Sequence, residues 1–167
     1  MRKLKGFTLI ELLIVIAIIA IIAAVVFVAL DPLTRFRDAR DSARWQDISA
    51  LMSAIKVDQV DNGGSYLAEI TALDDGDVYM IGTAADCDAA NDYCDTNVTA
   101  EVVAGDHCVD LGNLVTEGYL GALPTSPDGE GTWTSTLTGY TIQKDSTGII
   151  TVRACESENS PELTISR

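Results

Sequence analysis

Not one lysine or arginine falls between residues 57 and 143, a stretch that holds 16 aspartates and glutamates. A surface that anionic offers no cations for phosphate contacts, so direct nucleic-acid binding is not expected. Histidine occurs once, at His107 beside Cys108. A four-ligand zinc site brings paired ligands two to four residues apart, and no such pair is present. Absent too are a phosphate-binding glycine loop and any nucleophile–base constellation. We therefore expect no catalytic residues, no metal and no cofactor. After residue 30 there is no second long apolar run, which leaves one segment able to enter a membrane.

What is present is unevenly spread. Residues 7–30 are almost wholly apolar, and residues 1–6 carry Arg2, Lys3 and Lys5 with no acid. The acidic excess belongs to the later part, where it suits a solvated exterior surface. The four cysteines, Cys87, Cys94, Cys108 and Cys155, all lie there as well. An even count in a small domain outside the membrane reads as two disulfides formed in an oxidising compartment. Four thiols allow three connectivities. Nearness along the chain favours Cys87 with Cys94, which leaves Cys108 for Cys155.

The apolar segment of 24 residues has Glu11 as its only charge. As a helix it would extend about 36 Å at roughly 1.5 Å per residue, enough to cross a hydrocarbon core of about 30 Å. The basic residues before it predict a cytoplasmic start and an exported head. A cleaved secretory signal would be shorter and end in a small-x-small site, which the sequence around Val28, Ala29 and Leu30 does not supply. A plain anchor fits the length but gains nothing from Glu11. A carboxylate at the centre of a spanning helix costs about 2.5–3.5 kcal/mol, less towards its end. Glu11 asks for a partner.

The run Lys5-Gly6-Phe7-Thr8-Leu9-Ile10-Glu11, followed at once by the apolar stretch, resembles the class III leader of bacterial type IV prepilins and pseudopilins. The resemblance implies cleavage between Gly6 and Phe7 by a prepilin peptidase and N-methylation of Phe7. It implies that Glu11 neutralises the N-terminal amine of a neighbouring subunit in a homopolymer. Partners would then be copies of the chain, the peptidase, the membrane and a pilus or secretion assembly machinery. The precursor would sit in the inner membrane, single-pass with its head outside, before joining a cell-surface or periplasmic filament. The expected fold is α+β and pilin-like: a long kinked N-terminal helix packed on a small antiparallel sheet with disulfide-bonded loops. The expected function is a structural pilus subunit. The alternatives are a pseudopilin of a type II secretion system and a membrane-anchored binding domain that does not polymerise. Pseudopilins can bind calcium after their Leu-Pro segment, where this chain has Asp128 and Glu130, with Asp74, Asp75, Asp77, Asp86, Asp88 and Asp92 elsewhere. Acid-rich loops are more often only solvated, and none of these has the spacing of an EF-hand.

The chain divides into a leader (1–6), a membrane or filament-core helix (7–30), an amphipathic helix (31–62) and a head (63–167). Pro32 predicts a kink. Beyond it Phe36, Ala39, Ala43, Ile48, Leu51 and Ile55 fall near one helical stripe, and Gly63-Gly64 ends it. Arg37, Arg40 and Arg44 read as a solvated face with local ion pairs, or as a cationic stripe facing the acidic head of another copy. In the head, residues 78–81 and 98–103 read as short strands, and residues 111–115 as a helical turn ending near Gly118. Residues 139–144 and 149–154 read as a hairpin turning at 145–148. Tyr140, Ile142, Ile150, Val152 and Ala154 should face the helix, with Cys155 facing away. Asn97-Val98-Thr99 fits a glycosylation sequon, a short pattern in a threonine-rich chain.

Overall fold

The computed structural model describes residues 6–84, 87, 94, 108–129, 131–160 and 162–167. The chain separates into two compact units, Met1–Phe36 and Arg37–Arg167. The expected strand at 98–103, the sequon and His107 lie outside the described residues.

Helix α1 spans Leu9–Leu30 and buries none of its residues. It stops because Asp31 precedes a proline, whose ring disfavours the α region for the residue before it. Asp31 instead adopts a left-handed conformation (φ 36°, ψ 70°) as the C-cap. Helix α2, Pro32–Asp61, begins on Pro32, where a missing N–H costs nothing. The Asp31 carbonyl accepts from Arg35 N, so one residue ends one helix and starts the next. At the far end Gly63 and Gly64 both take positive φ, and Gly64 N closes on the Gln59 carbonyl at 2.7 Å. Only residues without a Cβ adopt that path cheaply.

The unit beginning at Arg37 is built on an antiparallel four-stranded sheet in the order β1-β2-β3-β4: Val78–Met80, Tyr140–Lys144, Ile150–Ala154 and Thr164–Ser166. The β2–β3 hairpin pairs Tyr140 with Ala154 and Ile142 with Val152. Its turn is closed by Asp145, whose carboxylate accepts from Thr147 N and Ile149 N. Side chains alternate across the sheet as the pleat requires. Tyr140, Ile142, Ile150, Val152 and Ala154 form one core with Ile48, Leu51, Met52 and Ile55 of α2. Leu111 and Leu114, around the short helix α4 (Asn113–Thr116), complete that core, together with Ile70 of α3 (Ala68–Thr71). Val78 and Met80 point to the other face and join Trp133 and three cysteines in a second cluster.

The expected hairpin, the strand at 78–81 and the turn of helix before Gly118 are all present. Strand β4 and helix α3 were not expected. Both are three or four residues long, too short to show a period. One part of the α2 stripe needs correcting. The buried face is Asp41, Arg44, Ile48, Leu51, Met52, Ala54, Ile55 and Asp58, while Phe36 and Ala39 are exposed. The stripe continues towards the N-terminus through charged residues, not through the apolar ones.

Candidate functional site

Gly6, Phe7 and Thr8 precede α1 in non-helical backbone. Phe7 is 86% exposed, and a Cβ built on Gly6 would meet nothing within 4 Å. Neither space nor positive φ therefore demands glycine at position 6. Thr8 is the N-cap, with Oγ1 accepting from Glu11 N. Glu11 reciprocates: its Oε2 accepts from Thr8 N and from Thr8 Oγ1, both at 2.8 Å. This is a capping box, in which two orphan donors of the first helical turn are satisfied together. The pattern Thr8-x-x-Glu11 is itself a capping signature in the sequence.

The head holds a second charged constellation, one that the sequence reading missed. Arg44 is fully buried. Its guanidinium donates to Asp41 at 2.8 Å, Glu158 at 3.0 Å, Ser126 Oγ at 3.1 Å, the Pro127 carbonyl at 3.0 Å and the Glu156 carboxylate. Five polar contacts match what the planar guanidinium fork can offer. Each carboxylate is satisfied in turn. Asp41 accepts from the backbone N–H groups of Glu158, Asn159 and Ser160. Glu156 accepts from Gly131 N, and Glu158 is gripped by Arg40. A Cβ at Gly129 would stand 2.2 Å from Glu156 Oε2, so the loop over this network needs glycine there.

The expectation of a solvated or intersubunit stripe at Arg37, Arg40 and Arg44 is thus corrected for two of the three. Arg44 and Arg40 turn inward and clasp residues 156–160 to α2, because three carboxylates converge on them. Only Arg37 stays largely in solvent, 3.9 Å from Glu158.

Arg40, and Arg44 after it, hold the Glu158 carboxyl well below the usual range, at about 2 against an ordinary 4.5. A carboxylate whose folded pKa is depressed stabilises the fold above its unfolded pKa and loses that contribution as pH falls. The window here runs from about 4.5 down to about 2. Burial pushes Asp47, the acceptor of the Tyr140 hydroxyl, upward, and so works in the opposite sense. We expect the thermal midpoint to drop between pH 5 and pH 2, and Arg40→Gln to flatten that drop. Melting curves over this range by circular dichroism check it.

Disulfides join Cys87 to Cys108 and Cys94 to Cys155. The expected pairing of Cys87 with Cys94 and Cys108 with Cys155 is overturned. Val109 bridges Ile81 in parallel, which brings Cys108 beside the chain leaving β1 and within reach of Cys87. Cys155 does face away from α2 as expected, but into the second cluster, where Cys94 is buried. On a chain-entropy account the 61-residue closure contributes about 4 kcal/mol. Cleavage before aspartates puts each cysteine on its own peptide. Mass mapping without reduction should recover 86–87 linked to 106–109, and 92–94 linked to 145–167.

No group of three or more histidine, cysteine, aspartate or glutamate side chains among the described residues is placed to hold a metal ion. Asp128, in the loop after Leu123-Pro124, accepts from Trp133 N at 2.9 Å.

An apolar helix with an acid in its first turn, joined to a helix that packs on a small antiparallel sheet with disulfide-bonded loops, defines a pilin-like α+β architecture. Residues 1–27 match the model of the prokaryotic N-terminal methylation motif, the class III prepilin leader, and this supports the type IV pilin and pseudopilin family. That family is generally structural rather than catalytic. The leader implies processing by a prepilin peptidase and assembly into filaments, and with the apolar helix it fits a membrane-anchored precursor. No curated protein and no solved structure matches the chain.

Proposed function

We propose that this chain is a structural subunit of a type IV pilus, cut between Gly6 and Phe7 and polymerised out of the inner membrane. The observation that carries the reading is α1 itself, 22 residues of which all but Glu11 are apolar, with not one of them buried in the chain. In water such a surface is untenable, at roughly 1.5–3 kcal/mol for each large side chain left exposed. Lipid covers it in the precursor, and helices of other copies cover it in the filament.

Three residues at its start then have roles. Gly6, which nothing in the chain's own packing requires, gives the peptidase an unobstructed backbone. Phe7, exposed and outside the helix, becomes the new N-terminus and takes the methyl group. Glu11 meets the Phe7 ammonium of a neighbouring copy, and a charge that needs that partner fixes the register between subunits. Cells expressing the chain with its assembly machinery should yield sheared surface filaments containing it. Its retention in the periplasm beside a secretin-type export system would favour the pseudopilin instead. Finding only monomers in the membrane would overturn both.

A further inference from the structure

We propose that a groove on the flank of α2 receives Arg37 of a neighbouring copy, its guanidinium over the Trp45 ring and beside the Asp38 carboxylate. The inference rests on the reading above and adds a named contact between heads. The groove is open, about 570 Å³, and is lined by Asp38, Asp41, Ser42 and Trp45 of α2 and by Leu163 of the C-terminal segment. Trp45 is 48% exposed there, although tryptophan is highly buried on average. Asp41 is already saturated by Arg44 and by three backbone N–H groups. Asp38 is not. Its Oδ1 accepts from Asn159 Nδ2 at 2.7 Å, and its Oδ2 accepts from nothing among the described residues. An indole face beside a carboxylate suits a cation carried on an apolar stem.

The chain carries a matching cation. Arg40, Arg44, Lys56, Lys144 and Arg153 each bond within the chain. The Arg37 side chain is 53% exposed and makes no hydrogen bond among the described residues. It lies 3.9 Å from a Glu158 carboxylate that Arg40 and Arg44 already hold, and it does not line its own chain's groove. Placing Phe7 of one copy level with Glu11 of the next is a shift of four helical positions, about 6 Å at roughly 1.5 Å per residue. On α2 the same shift sets Arg37 of one copy level with Asp41 of the next, midway along the residues that line the groove. Donor and acceptor are different surfaces, so the contact is heterologous, and with an axial shift it repeats from copy to copy without closing.

The test uses the full chain in cells that assemble filaments. Sheared filaments of Arg37→Cys/Ser42→Cys are treated with a short bis-maleimide, to which the paired native cysteines do not respond. We expect a ladder of covalent multimers from the double variant and monomer from either single one. A link within one chain would leave the monomer band in place. Yield is read with Arg37→Gln and Trp45→Leu. Exposed cation–π and ion-pair contacts each correspond to a few-fold change in an equilibrium. We expect about fivefold fewer filaments from either variant, with cleavage, membrane insertion and head melting as in the parent. Combining the two should do no further harm, since both remove one contact.

Filaments of the double cysteine variant that give no ladder, or parental yield from Arg37→Gln, overturn the proposal and leave the pilus reading standing. Loss of Arg37→Gln from the membrane fraction assigns the guanidinium to lipid headgroups and overturns it too. Absence of filaments from the unmodified chain overturns the pilus reading itself.

Discussion

Arg44→Met should destabilise the head by at least about 3 kcal/mol, the cost of leaving buried charges without their partner. Methionine comes close to the volume of arginine, so the loss would come from electrostatics and hydrogen bonds rather than from a cavity. Asp41 and Glu156 are buried, and Glu158 is nearly so. Without the guanidinium the three carboxylates repel one another at the junction between α2, the loop at 126–131 and the segment at 156–160. Two relaxations are open to them. They take up protons, which moves the unfolding transition towards neutral pH, or the C-terminal segment leaves α2. Either outcome lowers the urea midpoint of the full-length protein in detergent, followed by the fluorescence of Trp45 and Trp133. Arg37→Gln, on an exposed side chain 3.9 Å from Glu158, should change the midpoint by less than about 1 kcal/mol. If Arg44→Met matched Arg37→Gln, the buried network would not be what holds these elements together.

Glu11→Ala should abolish filaments while leaving the precursor inserted in the membrane. The apolar run becomes longer and more hydrophobic, so insertion gains from the change. What disappears is the only charge in α1 that can compensate a cationic N-terminus brought into a non-aqueous core. Glu11→Gln separates charge from hydrogen bonding. Its carbonyl still accepts from Thr8, but a neutral amide does not offset an ammonium. We expect Glu11→Gln to insert and be cleaved yet to give at least tenfold fewer filaments, which is about 1.4 kcal/mol per subunit contact. Electron microscopy of the sheared fraction, beside immunoblots of membranes, reads both quantities.

Much of the head could be read from the sequence, because its elements are periodic. Tyr140, Ile142, Ile150, Val152 and Ala154 alternate with polar residues, and alternation on both arms of a hairpin specifies which face is buried. Ile48, Leu51 and Ile55 carry the helical period in the same way. The clasp at Arg44 escaped notice for a physical reason. Positions 41 and 44 lie on the face of Ile48 and Leu51, at helical spacing, so the geometry was legible. A charged residue in that phase, however, reads as a place where the helix emerges into water. Arginine is buried only when several acceptors converge on it, and here they come from residues 126–127 and 156–158, more than 80 positions away. Local pattern carries no trace of that convergence.

Disulfide pairing was illegible for a related reason. It depends on the isolated bridge between Ile81 and Val109, a contact with no sequence period at all. At the N-terminus the position was reversed. The capping box is local, four consecutive residues from Thr8 to Glu11, but an acid inside an apolar run also signals a charge in lipid, and that second signal masks the first.

Intact mass of the chain recovered from sheared filaments decides whether the subunit loses its leader before it polymerises. The expected value is the mass of residues 7–167 plus one methyl group, less four hydrogens for the two disulfides. A polymerised chain that still carried residues 1–6, or whose Phe7 bore no methyl, would contradict it.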